Sequence, residues 1–147
     1  MKHSAKGDAF TEIVIESFKL SGLLATEGDR IAAPLGLSSA RWKILGALAR
    51  SETPLTVSQI ARNMGQSRQA VQSLVNIMCD SGLVEFQNNP NHKRAKLIVL
   101  TPNGEATYER MEAIQIPWAN QCVSQISLED LKTTLVTLKK ISGLFSA

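Results

Sequence analysis

The stretch Thr56–Val84, "TVSQIARNMGQSRQAVQSLVNIMCDSGLV", holds two short amphipathic segments on either side of one glycine. Thr56 is followed three residues later by Gln59. That is the spacing of a capping box, in which the hydroxyl takes a free backbone N–H and the amide reaches back to another. Val57, Ile60, Ala61 and Met64 then form an apolar stripe, and Gly65 stops the helix. Ser67 caps a second helix whose apolar positions Val71, Leu74, Val75 and Met78 fall at i, i+3, i+4 and i+7. Gly82 closes it with the residue best suited to a left-handed terminus. Two short helices joined by a tight glycine turn predict a helix-turn-helix.

Outward from this pair, "LVEFQ" and "AKLIVL" read as strands around the link "NNPNHK", which is made of turn formers and predicts a hairpin. A hairpin directly after the pair makes the unit a winged helix-turn-helix. Upstream, Phe10, Ile13, Val14, Phe18 and Leu24 mark a long first helix, broken by Pro34 and Gly36. Ser38 caps a second helix with Trp42, Leu45 and Leu48 or Ala49 on one face, and Leu55-Thr56 can add a strand residue or two. Downstream, Thr101-Pro102 starts a helix that meets Pro117, which must kink or end it by removing a hydrogen bond. Ser127 opens a last helix, where Leu128, Leu131, Leu135, Leu138, Ile141 and Phe145 form a narrow seam in steps of three and four. The fold class expected is mainly α with a small β-hairpin wing. Three regions of one protomer follow: residues 1–36, 37–101 and 102–147.

At 147 residues, 44% hydrophobic and 20% charged, the chain is long enough to bury a core. No run of about 18 apolar residues suggests a membrane span, and the N-terminus lacks the apolar stretch of a secretory signal. Cys79 and Cys122 make no disulfide framework and no metal spacing, as expected of a cytoplasmic protein. The net charge is only +3, but its distribution is uneven. Between Gly36 and Leu100 lie eight Lys/Arg against three acids, a local +5, while the two ends together carry −2. A basic centre between mildly acidic ends suits a module that binds a polyanion.

The second helix of the pair sharpens that reading. Opposite its apolar face stand Ser67, Arg68, Gln69, Gln72, Ser73 and Asn76. These are hydrogen-bonding side chains with a single permanent charge, whereas a face made for solubility usually mixes Glu with Lys. Gln and Asn can bond adenine edges, Arg can fork to guanine, and Ser can donate to phosphate. A winged helix can also serve as a protein-interaction module without sequence-specific DNA binding. That alternative would favour aromatic side chains on this face.

The run from Leu35 to Ala106 resembles the MarR family of winged-helix transcription regulators. The resemblance is carried by "LTVSQIARNMGQSRQAVQSLV", "SGLVEF", "PNHKRAKLIVLT" and "LTPNG". It implies a homodimer that binds double-stranded DNA at a pseudo-palindromic site, acting as a repressor, with no cofactor. It also implies that the first helix and the last two form the dimer interface, here Phe10, Ile13, Val14, Leu128, Leu131, Leu135, Leu138 and Phe145. The wing role falls on Arg94, with His92, Lys93 and Lys96 beside it. Family members usually carry an acid near the positions of Asn89 and His92, and this chain has none between Glu85 and Glu105. The tip should be more positive, its arginine freer, and a protonated His92 would add to its charge.

Many members are released from DNA by a small phenolic or otherwise apolar effector, for which Phe18, Trp42, Tyr108 and Trp118 are candidate lining residues that equally suit a core. The oxidant-sensing mechanism of some members needs a cysteine in the first helix, and none is there. The only histidines are His3 and His92, too few for a metal sensor. Nothing in the sequence signals an enzyme: there is no nucleophile–base signature and no phosphate-cradling loop.

Overall fold

The computed structural model describes residues 1–146. The chain divides into two compact units, Met1–Glu112 and a shorter one from Ala113 onward. In the first unit, α1 (Ala5–Ala32) leads through a 3-10 turn (Ala33–Leu35) to α2 (Ser39–Arg50). Next come β1 (Leu55–Thr56), α3 (Val57–Met64), α4 (Arg68–Asp80), β2 (Val84–Gln87) and β3 (Leu97–Leu100). Helix α5 (Pro102–Cys122) runs across the unit boundary, and α6 (Leu128–Phe145) lies in the second unit.

The expected caps form. Ser38, Ser67 and Ser127 accept from the N–H groups of Arg41, Ala70 and Asp130. Thr56 and Gln59 make both bonds of the capping box, at 3.2 and 2.9 Å. Gly65 and Gly82 take positive φ, as the two helix terminations require. The apolar stripes become the core: Ile44, Leu45, Ile60, Val71, Val75, Met78, Val84, Ile98 and Met111 are fully buried. Each such burial contributes about 1.5–3 kcal/mol before the ordering cost.

Two features go beyond the expected hairpin. The sheet has three antiparallel strands in the order β1-β3-β2, with Leu55 opposite Ile98 and Phe86 on the other side of Ile98. The two-residue strand β1 therefore ties the start of α3 to the base of the wing. Asp29, near the end of α1, accepts the Ser39 N–H at 2.7 Å. It adds a carboxylate to the N-terminus of α2, where negative charge is favoured. Gly28 makes this approach possible, since a Cβ there would sit 2.7 Å from Ser39 Oγ.

Of the two outcomes expected at Pro117, a kink or an end, the helix does not end there: α5 continues to Cys122. The proline leaves the Ala113 carbonyl without its helical donor. Both residues are exposed, so water can take the freed carbonyl and the loss is bearable.

The wing is closed at its base by one threonine. Thr101 N–H donates to the Leu83 carbonyl at 3.1 Å, and its hydroxyl donates to the Gly82 carbonyl at 2.6 Å. The same hydroxyl oxygen accepts the Gly104 N–H at 3.0 Å. Gly104 is buried, and a Cβ on it would lie 2.0 Å from the Leu83 carbonyl oxygen. Gly104→Ala must therefore push α5 off the α4–β2 turn. The expected cost is about 3 kcal/mol, read as a lowered urea midpoint at unchanged slope. A loss below about 0.5 kcal/mol would mean that the turn yields freely, against this account of the junction.

Candidate nucleic-acid interface

Helix α4 presents Ser67, Arg68, Gln69, Gln72, Ser73 and Asn76 to solvent, all six exposed, while Val71, Val75 and Met78 anchor its other face. Burial of that stripe fixes the rotation of the helix about its axis, and so decides which side chains face outward. Ile77, 50% exposed, joins the outer face. Its apolar character escaped the polar pattern in the sequence, and such a side chain can contact a thymine methyl.

Between α4 and the wing runs a groove of about 630 Å³. It brings together Arg68, Gln69 and Gln72 from α4 with His92, Arg94 and Lys96 from the wing. No carboxylate lines it, and among the described residues none of its three cations has an acidic partner. Thr56, Val57 and Ser58 at the start of α3 also reach it, as do Phe86 and Ala95. Sequence reasoning did not assign these five to the site. The capping box at Thr56 was the available signal, because a capped helix start is where backbone N–H groups face outward. Lys93 is exposed on the wing tip but is not among the groove-lining residues, and Ser73 and Asn76 lie further along α4.

The wing tip is organised around His92. Its Nδ1 accepts the Arg94 N–H at 3.3 Å and the Ala95 N–H at 3.1 Å. Nδ1 must then be unprotonated, with the ring proton on Nε2. The imidazole does for this turn what a short acidic side chain does in an Asx turn. Asn89 supports the same link, accepting the Asn91 N–H on its Oδ1 at 3.0 Å. The two bonds to Nδ1 tie the backbone of Arg94 and Ala95 to the His92 ring.

The four aromatic residues considered for an effector differ in their surroundings. Phe18 is exposed on α1, and Trp42 and Tyr108 are half-buried against the core of the first unit. Trp118 belongs to the second unit. Tyr108 lines a second cleft of about 540 Å³ with Leu48, Pro54, Val99 and the carboxylates of Glu52, Glu105 and Glu109. Among the described residues no group of three or more His, Cys, Asp or Glu could hold a metal. Among the described residues no helix is long and apolar enough to cross a membrane.

Comparison with known proteins places these features in context. A family model described as MarR family matches residues 35–95, the span from the end of the 3-10 turn to the wing. An uncharacterized protein of Mycobacterium tuberculosis is 34% identical over 134 residues, covering 91% of this chain and 92% of the relative. The transcriptional activatory protein BadR of Rhodopseudomonas palustris is 26% identical, covering 93% of this chain and 80% of BadR. Among solved structures, that of the Staphylococcus aureus MepR–DNA complex has the same fold. It aligns with a TM-score of 0.77 at 21% identity, over 90% of this chain and 97% of MepR.

Arg94→Ala should weaken binding to every duplex and reduce the salt slope by about 1, measured by fluorescence anisotropy at several salt concentrations. Unchanged affinity and slope would remove the wing from the interface. His92→Ala should weaken binding about three- to tenfold through loss of the two turn bonds, each worth about 1 kcal/mol or less at an exposed site. Equal affinity for His92→Ala and the native protein would show that the turn does not depend on the imidazole.

Proposed function

This chain belongs to the MarR family of winged-helix transcription regulators, and we propose that it binds a pseudo-palindromic operator in double-stranded DNA as a homodimer. The observation that carries this reading is the acid-free groove. It sets Arg68, Gln69 and Gln72 of a helix-turn-helix against His92, Arg94 and Lys96 of a wing. Helix α4 enters the major groove, where Gln72 and its neighbours meet base edges. The wing grips the adjacent backbone or minor groove, whose negative potential attracts arginine. The cations supply affinity by releasing counterions, and the amides supply sequence preference. A protein-interaction module would show aromatic anchors on this face, and the exposed face of α4 has none.

The dimer reading draws on apolar surface left without cover. Helix α6 has no buried residue, with Leu135 at 52% and Phe145 at 76% exposure. Helix α1 leaves Ile13, Ile15, Phe18 and Leu23 exposed as well. Soluble monomers rarely leave such apolar helix faces uncovered. Phe10, Ile13 and Val14 with Leu128, Leu131, Leu135, Leu138 and Phe145 form the proposed interface. A two-fold axis then sets the two recognition helices about 34 Å apart, one turn of duplex.

The protein acts as a cytoplasmic repressor, and a small apolar or phenolic effector releases it from the operator. Phe18, Trp42, Tyr108 and Trp118 are the candidate contacts for that effector. The protein works without a cofactor and catalyses no reaction.

Selection from random duplexes should return inverted half-sites spaced about 10 base pairs centre to centre. A gel shift with the protein's own upstream DNA should be sequence-dependent and weaken with salt. Leu135→Lys should abolish the dimer in sedimentation equilibrium and reduce operator affinity at least about a hundredfold, since each half-site alone binds weakly. A stable monomer from the native chain at micromolar concentration would overturn the dimer, and an operator shift without sequence preference would overturn the readout.

A further inference from the structure

We propose that Gln72 and Asn76 read bases as one coupled unit, an inference that rests on the DNA-binding reading above. On α4, Gln72 Nε2–H donates to Asn76 Oδ1 at 2.9 Å, and both side chains are exposed. The i, i+4 spacing stacks them on one face, where such amide pairs stabilise one another. A free amide terminus can turn over and offer either its oxygen or its nitrogen. The bond couples the two orientations, so that neither amide turns over alone.

The donor and acceptor inventory then decides what each residue can offer. A primary amide has two N–H donors and a carbonyl with two acceptor sites. Gln72 spends one N–H and keeps the other together with its carbonyl. That remainder still suits the paired donor and acceptor of an adenine edge. Asn76 spends half of its acceptor capacity and keeps both N–H groups. It therefore presents chiefly donors, which suit guanine O6 and N7 or thymine O4.

Ser73 completes the set by the opposite bias. Its hydroxyl donates to the Gln69 carbonyl at 3.1 Å, so its proton is used within the helix. What remains is acceptor capacity, which suits the amino group of cytosine or adenine. Ser67 differs again: its oxygen accepts the Ala70 N–H at 3.1 Å, leaving the hydroxyl proton for a phosphate. Internal bonds thus assign opposite polarities to side chains that look interchangeable in sequence.

The coupling has a measurable consequence. Residues sharing a hydrogen bond give non-additive variant effects, whereas independent contacts multiply. Anisotropy titrations would compare the native protein, Gln72→Ala, Asn76→Ala and the double variant. They would use the selected operator and duplexes changed at one base pair at a time, with circular dichroism confirming the fold of each. Each single substitution should cost about tenfold on the operator, and the double should fall short of the product by about fivefold or more. Asn76→Ala should also relax preference at the base pair that Gln72 reads. Asn76→Asp, which keeps the acceptor holding Gln72 but removes the donors, should retain preference there while losing it at its own base pair.

Losses that multiply to within about twofold would overturn the coupling while leaving DNA recognition intact. So would an unaltered Gln72 position in Asn76→Ala, or a relaxed one in Asn76→Asp. Native protein with no sequence-dependent binding would overturn the functional reading and this inference together.

Discussion

The hydrogen bonds of Thr101 hold together everything that gives this protein a site. One residue clasps the Gly82 and Leu83 carbonyls at the end of α4 and the Gly104 N–H in the first turn of α5. The wing leaves and returns through this junction. A loose clasp would let the hairpin swing against the recognition helix, and the groove between them would lose its fixed width. The requirement for glycine at position 104 follows from the same contact, because a carbonyl oxygen occupies the space that a side chain would need. The pairing of β1 with β3 adds a second brace at the other side of the sheet. Together they fix three chain segments around one groove at the cost of a few short strands.

Within that frame, electrostatics and hydrogen bonding divide the labour. Among the described residues the cations of the groove have no carboxylate partner, so their charge is available to a polyanion. A wing tip without acid also needs another acceptor for its turn, and His92 provides it through Nδ1. The tip thereby keeps its net positive charge while its backbone stays ordered.

The exposed apolar seams of α1 and α6 belong to a different problem. An isolated amphipathic helix gains little from its own backbone and needs a surface to bury its stripe. Helix α6 buries no residue within its own chain. In the proposed dimer, a second copy supplies that surface and at the same time doubles the recognition helix. Folding and recognition of a symmetric site would then draw on the same apolar contacts.

Local chemistry was legible in the sequence. The caps at Ser38, Thr56, Ser67 and Ser127 depend on residues three positions away, and the stripes of α3 and α4 depend on helical periodicity, so both can be read along the chain. The same periodicity exposed the polar face of α4, and composition revealed the basic wing. Contacts between distant segments were not legible. The bond from Asp29 to Ser39, the Thr101 clasp and the pairing of Leu55 with Ile98 have no periodic signature. Nor does the sequence tell that Pro117 sits where water can replace a lost hydrogen bond, so that α5 runs on. The sequence by itself determined which helices form and which faces they offer, because caps and periodicity act within a few residues. Only the tertiary structure decided how α4, the wing and the start of α3 converge on one groove, because that depends on close approaches that only packing creates.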